Sequence, residues 1–433
     1  MLKIFNPQAF EALGVRDYRL YWTGNTLSKF GTEMQQVALA WQIYLLTGQP
    51  LSLGIIGIVR AGPAILFSIF GGALADIMSR RKLLLITQST LLALSTIMAV
   101  TTATGVATVG LLYVLVFLSA TAASADGPAH SAVIPSLVPR QIMTNAITLN
   151  NLSYSVAGIF GPAMGGLIIG WFGASAAFGF DAVSFLAVII ALLLVKAPLL
   201  PGEIPAGQRG VRGNLRRIGE GFAFLGRTRM VLTLSLLDFF AMLFGASMTL
   251  LPVFAKDILK VGAEGLGVLA SAPAVGAIIG ASALTLFRRP RFPGRVVLAA
   301  ITFFAICVAV FGLSNLFWLS WLALAGTGLA DTISMTMRQS IRQLLTPEEF
   351  RGRIAGVNYL FAVSGTQLGE FESGVLAQLI GTQPAVAIGG LACLVTVGLI
   401  SWRSRAIRYF VESHAVDYEP PAPAKAVESN RTG

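Results

Sequence analysis

The sequence predicts an all-α integral membrane protein of twelve transmembrane helices in two six-helix bundles, with both termini cytoplasmic. Three observations predict it: a composition matched to lipid, a series of separated apolar runs, and a one-sided distribution of cations. Of 433 residues, 55% are hydrophobic and 12% charged, and mean hydropathy is +0.75. A soluble domain carries about 25% charged residues, so the deficit points to lipid as solvent.

A helix needs about 20 apolar residues to cross the hydrocarbon core. Runs of that kind occupy 22–46, 51–73, 83–104, 109–131, 146–170, 175–196, 230–254, 266–287, 296–314, 317–337, 356–379 and 384–402. An even number of runs puts both ends of the chain on one side. With that side cytoplasmic, 27 of the 31 Lys and Arg residues fall on it. Lys256 and Lys260 fall outside, and Lys29 and Arg60 lie within spans. Shifting the frame by one helix inverts this asymmetry, so count and orientation support each other. The net charge of +11 sits in short gaps between apolar runs, which argues against a nucleic-acid surface.

The domain organisation follows in order. Residues 1–21 lack an apolar core followed by a small-residue cleavage site, and are expected to stay as a cytoplasmic N-terminal segment. The first bundle covers 22–196 and the second 230–402. Residues 197–229 form a cytoplasmic linker in which Asn214 to Leu225 fits a surface helix at the lipid headgroups. The tail, 403–433, contains Pro420, Pro421 and Pro423 with little apolar content and is expected to be disordered. Cys307 and Cys393 stand far apart within apolar runs, and His130 and His414 are too few for a histidine-based metal site. No metal, no cofactor and no enzyme chemistry are expected. No phosphate-binding Gly-rich loop ending in Lys-Ser or Lys-Thr occurs in the sequence, so no ATP site is expected.

The halves repeat weakly at an offset of about 208 residues: Gly72 maps to Gly280, and Arg80-Arg81 to Arg288-Arg289. Direct repeats of six spans fit two bundles with a substrate site between them near the midplane. The loop Gly72-Ala73-Leu74-Ala75-Asp76-Ile77-Met78-Ser79-Arg80-Arg81-Lys82 joins the second and third spans. Its order of residues resembles the loop signature of the major facilitator superfamily of transporters. In the second copy Asp76 has become Leu284, so the carboxylate belongs to the first half alone. Further stretches are similar to the enterobactin-exporter-like efflux branch: Arg16-Asp17-Tyr18-Arg19-Leu20-Tyr21-Trp22, Leu137-Val138-Pro139-Arg140, and Leu368-Gly369-Glu370-Phe371-Glu372-Ser373-Gly374. Gly161-Pro162-Ala163-Met164-Gly165-Gly166 resembles the end of the antiporter signature of drug–proton exchangers. Its upstream glycines are absent, Thr148 and Ala157 standing in their places. Small residues let helices approach closely, and proline frees a backbone carbonyl. The bland reading of that run is an ordinary tight helix contact.

The resemblance implies the major facilitator fold in a bacterial plasma (inner) membrane. It also implies efflux of a small hydrophobic metabolite, siderophore or drug, with the proton as coupling ion. A monomer is expected. It further implies an inner gate at Gly72, Asp76, Arg80 and Arg81.

Charges inside a span are costly unless paired or hydrated, so each is a site candidate. Lys29 and Glu33 lie four apart on one face of the first span, and the depth of Glu33 matches that of Arg60 in the second. Either a Lys29–Glu33 or a Glu33–Arg60 pair is open, and Glu33 is a candidate for proton or cation binding. Asp331 is a further candidate. Glu370 and Glu372, two apart on a helix, cannot share one face. Asp126, beside Gly127-Pro128, suits a gating hinge or a solvated helix end. Asp181, near the outer end of its span, is expected to be solvated. Asn25, Gln36, Gln42, Asn151, Tyr154, Asn358 and Gln367 are candidates for cavity lining or for interhelical hydrogen bonds. A nutrient importer of the same fold and a non-transporting receptor are the alternatives, and the short loops offer no signalling domain.

Overall fold

The computed structural model describes residues 7–199, 210–286 and 290–410; side chains at 7–9, 64–77, 127–128, 131–132, 210–218, 247, 348–349, 352, 355 and 359 lie outside the described set. Every regular element among the described residues is helical. The first half holds Arg16–Thr47 (α1), Pro50–Ile77 (α2), Arg80–Ala103 (α3), Val109–Leu137 (α4), Met143–Phe172 (α5) and Ala174–Leu194 (α6). Gly210–Arg227 (α7) leads into the second half. There follow Arg229–Phe244 (α8), short helical turns over 247–258, Gly262–Leu286 (α9), Pro293–Leu313 (α10), Phe317–Leu345 (α11), Glu348–Ile380 (α12) and Thr382–Arg403 (α13).

Among the described residues, eight helices are long and apolar enough to cross a membrane: α3, α4 to Asp126, α5 with the turn before it, α6, α8 with its extension to Ile258, α9, α10 and α13. Polar and charged side chains keep α1, α11 and α12 out of that set, and those side chains build the interior sites described below. The seventh apolar run is not one helix. It stops at Gly245, whose N–H closes on Ala241 O at 2.9 Å, and Pro252 interrupts the turns that resume it.

Short connections make consecutive helices run antiparallel. The turns at 47–50, 104–108, 172–174 and 380–382 therefore share one end, the Gly48 end. The connections at 78–80, 138–143 and 345–348 share the other, the linker end, where α6 ends and α8 begins. Gly48 closes α1 in the left-handed region, φ 62°, where a side chain is strained.

Within the first half α1 packs on α5 and α6, α3 on α6, and α2 on α4; within the second, α9 and α10 pack on α11, α10 on α13, and α8 on α12. The halves meet along α2–α12 and α5–α9. Glycines set these crossings. A Cβ at Gly54 would stand 3.0 Å from the Gly374 Cα, and one at Gly166 2.6 Å from the Gly267 Cα. Both contacts lie toward the Gly48 end. The linker helix α7 buries Phe224 and Leu225, stacks Phe224 on Phe350 of α12 at 5.0 Å, and pairs Glu220 with Arg353 at 3.2 Å. It packs against α12 of the second half and also against α2 of the first.

Candidate functional site

A cavity of about 310 Å³ lies between the halves. Glu33 and Gln36 of α1, Arg60 of α2, Glu370 of α12 and Thr249 supply its polar wall. Val37, Leu53, Ile56, Met248, Leu251 and Leu266 are part of its apolar wall. Three of the charges anticipated from the sequence thus face one space, although they come from three helices and both halves. Arg60 lines the same space as Glu33 and Glu370. No salt bridge closes it onto either carboxylate among the described residues.

Packing holds the carboxylates at the wall. A Cβ at Gly161 would collide with the Glu33 Cβ, and one at Gly57 would stand 2.7 Å from the Glu370 Cβ. The glycines are therefore what lets α1 and α12 bring these side chains to the cavity. Gly161 and Gly165 face α1, where a Cβ at Gly165 would come within 3.0 Å of the Met34 Cα. Gly166 faces α9, and Pro162 lines the cavity itself. The antiporter-like run thus joins three helices at the site. Glu372 is not among the cavity-lining side chains, as its spacing from Glu370 required.

Lys29 does not pair with Glu33. Its Nζ donates to Asn150 Oδ1 at 2.8 Å, Asn150 O at 3.3 Å and Ser153 Oγ at 2.8 Å, and stands 3.4 Å from the centroid of the Tyr154 ring. Partners from α5 outcompete the neighbour on its own helix because they reach the ammonium through the interhelical groove.

Asp331 belongs to a second cluster near the linker end of the second half. Arg338 Nη2 lies 2.9 Å from Asp238 Oδ1 and 3.5 Å from Asp331 Oδ1, and Arg342 lies 3.8 Å from Asp238. Arg338 is 1% exposed. The apolar run ends at 337, so the sequence placed Arg338 in the cytoplasm; the helix continues to Leu345 and keeps it inside. Its spacing of seven from Asp331, two helical turns on one face, is the signal that would have found it.

The first half has a corresponding network. Asp126 accepts from Thr87 Oγ1 at 2.5 Å and Gln88 Nε2 at 3.0 Å, pairs with His130 Nε2 at 2.9 Å, and His130 Nδ1 is hydrogen-bonded to the Tyr21 hydroxyl. Asp126 thus ties α1, α3 and α4 together, and α4 runs unbroken through it. Asp181 is 0% exposed, not solvated: Ser95 Oγ donates to its Oδ2 at 2.6 Å and Gln35 donates to Ser95 at 2.9 Å. Distance from a helix end misjudged it because α1 and α3 cover it.

The side chains of Gly72 and Asp76 lie outside the described residues. Arg80 donates to Ser136 Oγ at 2.7 Å, and Arg81 to the Val195 carbonyl, both within the first half. Of the remaining polar candidates, Gln36 lines the cavity, while Asn25 approaches Asn150 at 3.5 Å. Asn358 accepts from Ser235 at 2.6 Å, an interhelical bond between α8 and α12. Asn151 and Tyr154 are exposed on α5, Gln42 is half-buried, and Gln367 abuts Gly57 through its carbonyl.

The chain is 24% identical over 409 residues to the enterobactin exporter EntS of Escherichia coli strain K12, with 91% of this chain and 93% of that one covered. The Shigella boydii serotype 18 protein of the same name is 24% identical over 394 residues, covering 87% and 89%. Among solved structures, the nucleoside transporter NupG superposes with TM-score 0.71 at 14% identity, over 90% of this chain and 100% of that one. An inward-facing bacterial homologue of the iron transporter ferroportin gives 0.69 at 16%, over 90% and 99%. At those identities the likeness is one of fold. The transmembrane secretion effector family matches residues 8–432, and the chain belongs to it, a multi-pass membrane transporter of the major facilitator superfamily.

Proposed function

We propose that the chain is a secondary active exporter of the bacterial inner membrane. It moves a small hydrophobic metabolite, siderophore or drug outward by alternating access, against proton entry. The observation that carries this reading is the cavity between the halves, apolar over most of its wall and charged at Glu33, Arg60 and Glu370. Two carboxylates face one guanidinium there. One negative charge is left to be met by a proton or by substrate, which is the condition for exchanging them. The similarity to proteins named as enterobactin exporters supports the outward direction. In this reading twelve helices form bundles 22–196 and 230–402, the termini and the linker 197–229 are cytoplasmic, and the Gly48 end is outside. Asp76, Arg80 and Arg81 then latch the cytoplasmic end when it closes, and the Asp126 and Asp331 networks keep each half rigid as it rocks.

Inside-out vesicles with an acidified lumen test the direction and the coupling together. A panel of hydrophobic dyes, antibiotics and a catechol siderophore is added outside. The reading expects at least one compound to enter the lumen with release of protons from it. Movement of compounds only out of the lumen would replace the exporter by an importer.

A further inference from the structure

Lys29 is a buried cation without an acid. It is 9% exposed, and its three donors go to neutral oxygens of Asn150 and Ser153. Among the described residues no carboxylate comes within salt-bridge distance of it. An ammonium out of water costs several kcal/mol, and neutral acceptors offset that cost without cancelling the charge. The positive charge is therefore still available to an anion.

The place of this lysine suggests which anion. Glu33 and Gly158 both line the cavity, and Lys29 and Tyr154 stand four residues before them on α1 and α5. One helical turn, about 6 Å, thus separates the Lys29–Tyr154 pair from the cavity on the same two helix faces. The step is toward the linker end, away from the glycine contacts that hold the halves together. Tyr154 is 59% exposed, and its ring covers the Lys29 Nζ at 3.4 Å. A half-open aromatic lid over an uncompensated cation offers a ring face for stacking and a charge for pairing.

We infer that Lys29, Tyr154, Asn150 and Ser153 form an anion subsite one helical turn from the cavity on its linker-end side, recognising an aromatic carboxylate. The anion takes the ammonium in exchange for the tyrosine ring, and its aromatic body stacks on that ring. The inference rests on the proposed function in taking this anion as part of a transported molecule.

Equilibrium binding to the full chain in phosphatidylcholine nanodiscs tests it, with naphthalene-2-carboxylate as probe and its methyl ester as the neutral control. Binding needs neither transport nor proton coupling, so its failure is distinct from failure of the exporter reading. The naphthoate is expected to bind the native chain and to lose affinity about tenfold or more in Lys29→Met. Lys29→Arg restores part of it, and the ester is indifferent to residue 29. Equal naphthoate affinity in a folded Lys29→Met protein would overturn the subsite. So would parallel loss of acid and ester, which marks a packing effect. Displacement of the naphthoate by phosphatidylglycerol in the nanodisc, dependent on Lys29, would assign the charge to lipid and overturn it as well.

Discussion

The Tyr44 hydroxyl, near the end of α1, donates a hydrogen bond to the Asp257 carboxylate in the turns before α9, joining the two halves at the Gly48 end. Lys256 Nζ stands 5.3 Å from the centroid of the same ring. A motion that opens this end has to break the bond. Tyr44→Phe keeps the ring and removes the donor. It should raise the population open at the Gly48 end by roughly tenfold, the worth of one hydrogen bond to a charged group. The readout is labelling of an Ala40→Cys variant by an impermeant maleimide applied to intact cells, after replacement of Cys307 and Cys393. Unchanged rates in both Tyr44→Phe and Asp257→Asn would show that the bond does not hold that end.

The glycine crossings predict a contrast on one helix. At Gly166 an added Cβ would stand 2.6 Å from the Gly267 Cα, whereas at Gly158 the nearest atom is the Ala274 Cβ at 3.7 Å. Gly166→Ala should therefore cost about 1–3 kcal/mol by overpacking. Gly158→Ala should be neutral or slightly stabilising, since alanine is the better helix former. Thermal melting of the two variants in one detergent checks this, and equal melting temperatures would contradict it.

Arg338 gives the largest expected stability effect. It is 1% exposed, 2.9 Å from one Asp238 oxygen and 3.5 Å from Asp331. Arg338→Met leaves two carboxylates facing each other inside the second half and should cost about 3–5 kcal/mol. The double variant Arg338→Met, Asp238→Asn should recover a large part of that loss, because it removes a stranded charge together with its partner. A double variant no more stable than the single one would mean that the pair adds nothing beyond its packing.

Much of this was legible in the sequence. Charge inside a span is expensive, so Glu33, Arg60 and Glu370 stood out against their surroundings, and matched depth along the helices brought the first two together. Most of the helices followed from the apolar runs, although the seventh run breaks at Gly245. What the sequence did not show was neighbours. Lys29 turns from Glu33 to Asn150 and Ser153 because α5 crosses α1 there. Asp181 is sealed by Ser95 from α3, a contact 86 residues away in sequence. Arg338 was lost for a different reason. Apolar runs mark where lipid contact ends, and α11 goes on for two further turns inside protein.

Of the two carboxylates in the cavity, we propose that Glu33 takes the proton, in a space shared with substrate. Proteoliposomes carrying the native chain or Glu33→Gln, with any compound that the vesicle screen yields, test it most directly. Two modes are compared: transport driven by a pH gradient, and exchange of labelled for unlabelled compound at equal pH. Glu33→Gln is expected to abolish driven transport and keep exchange, since the cavity survives and the coupling ion has lost its site. Driven transport in Glu33→Gln at the native rate would contradict it.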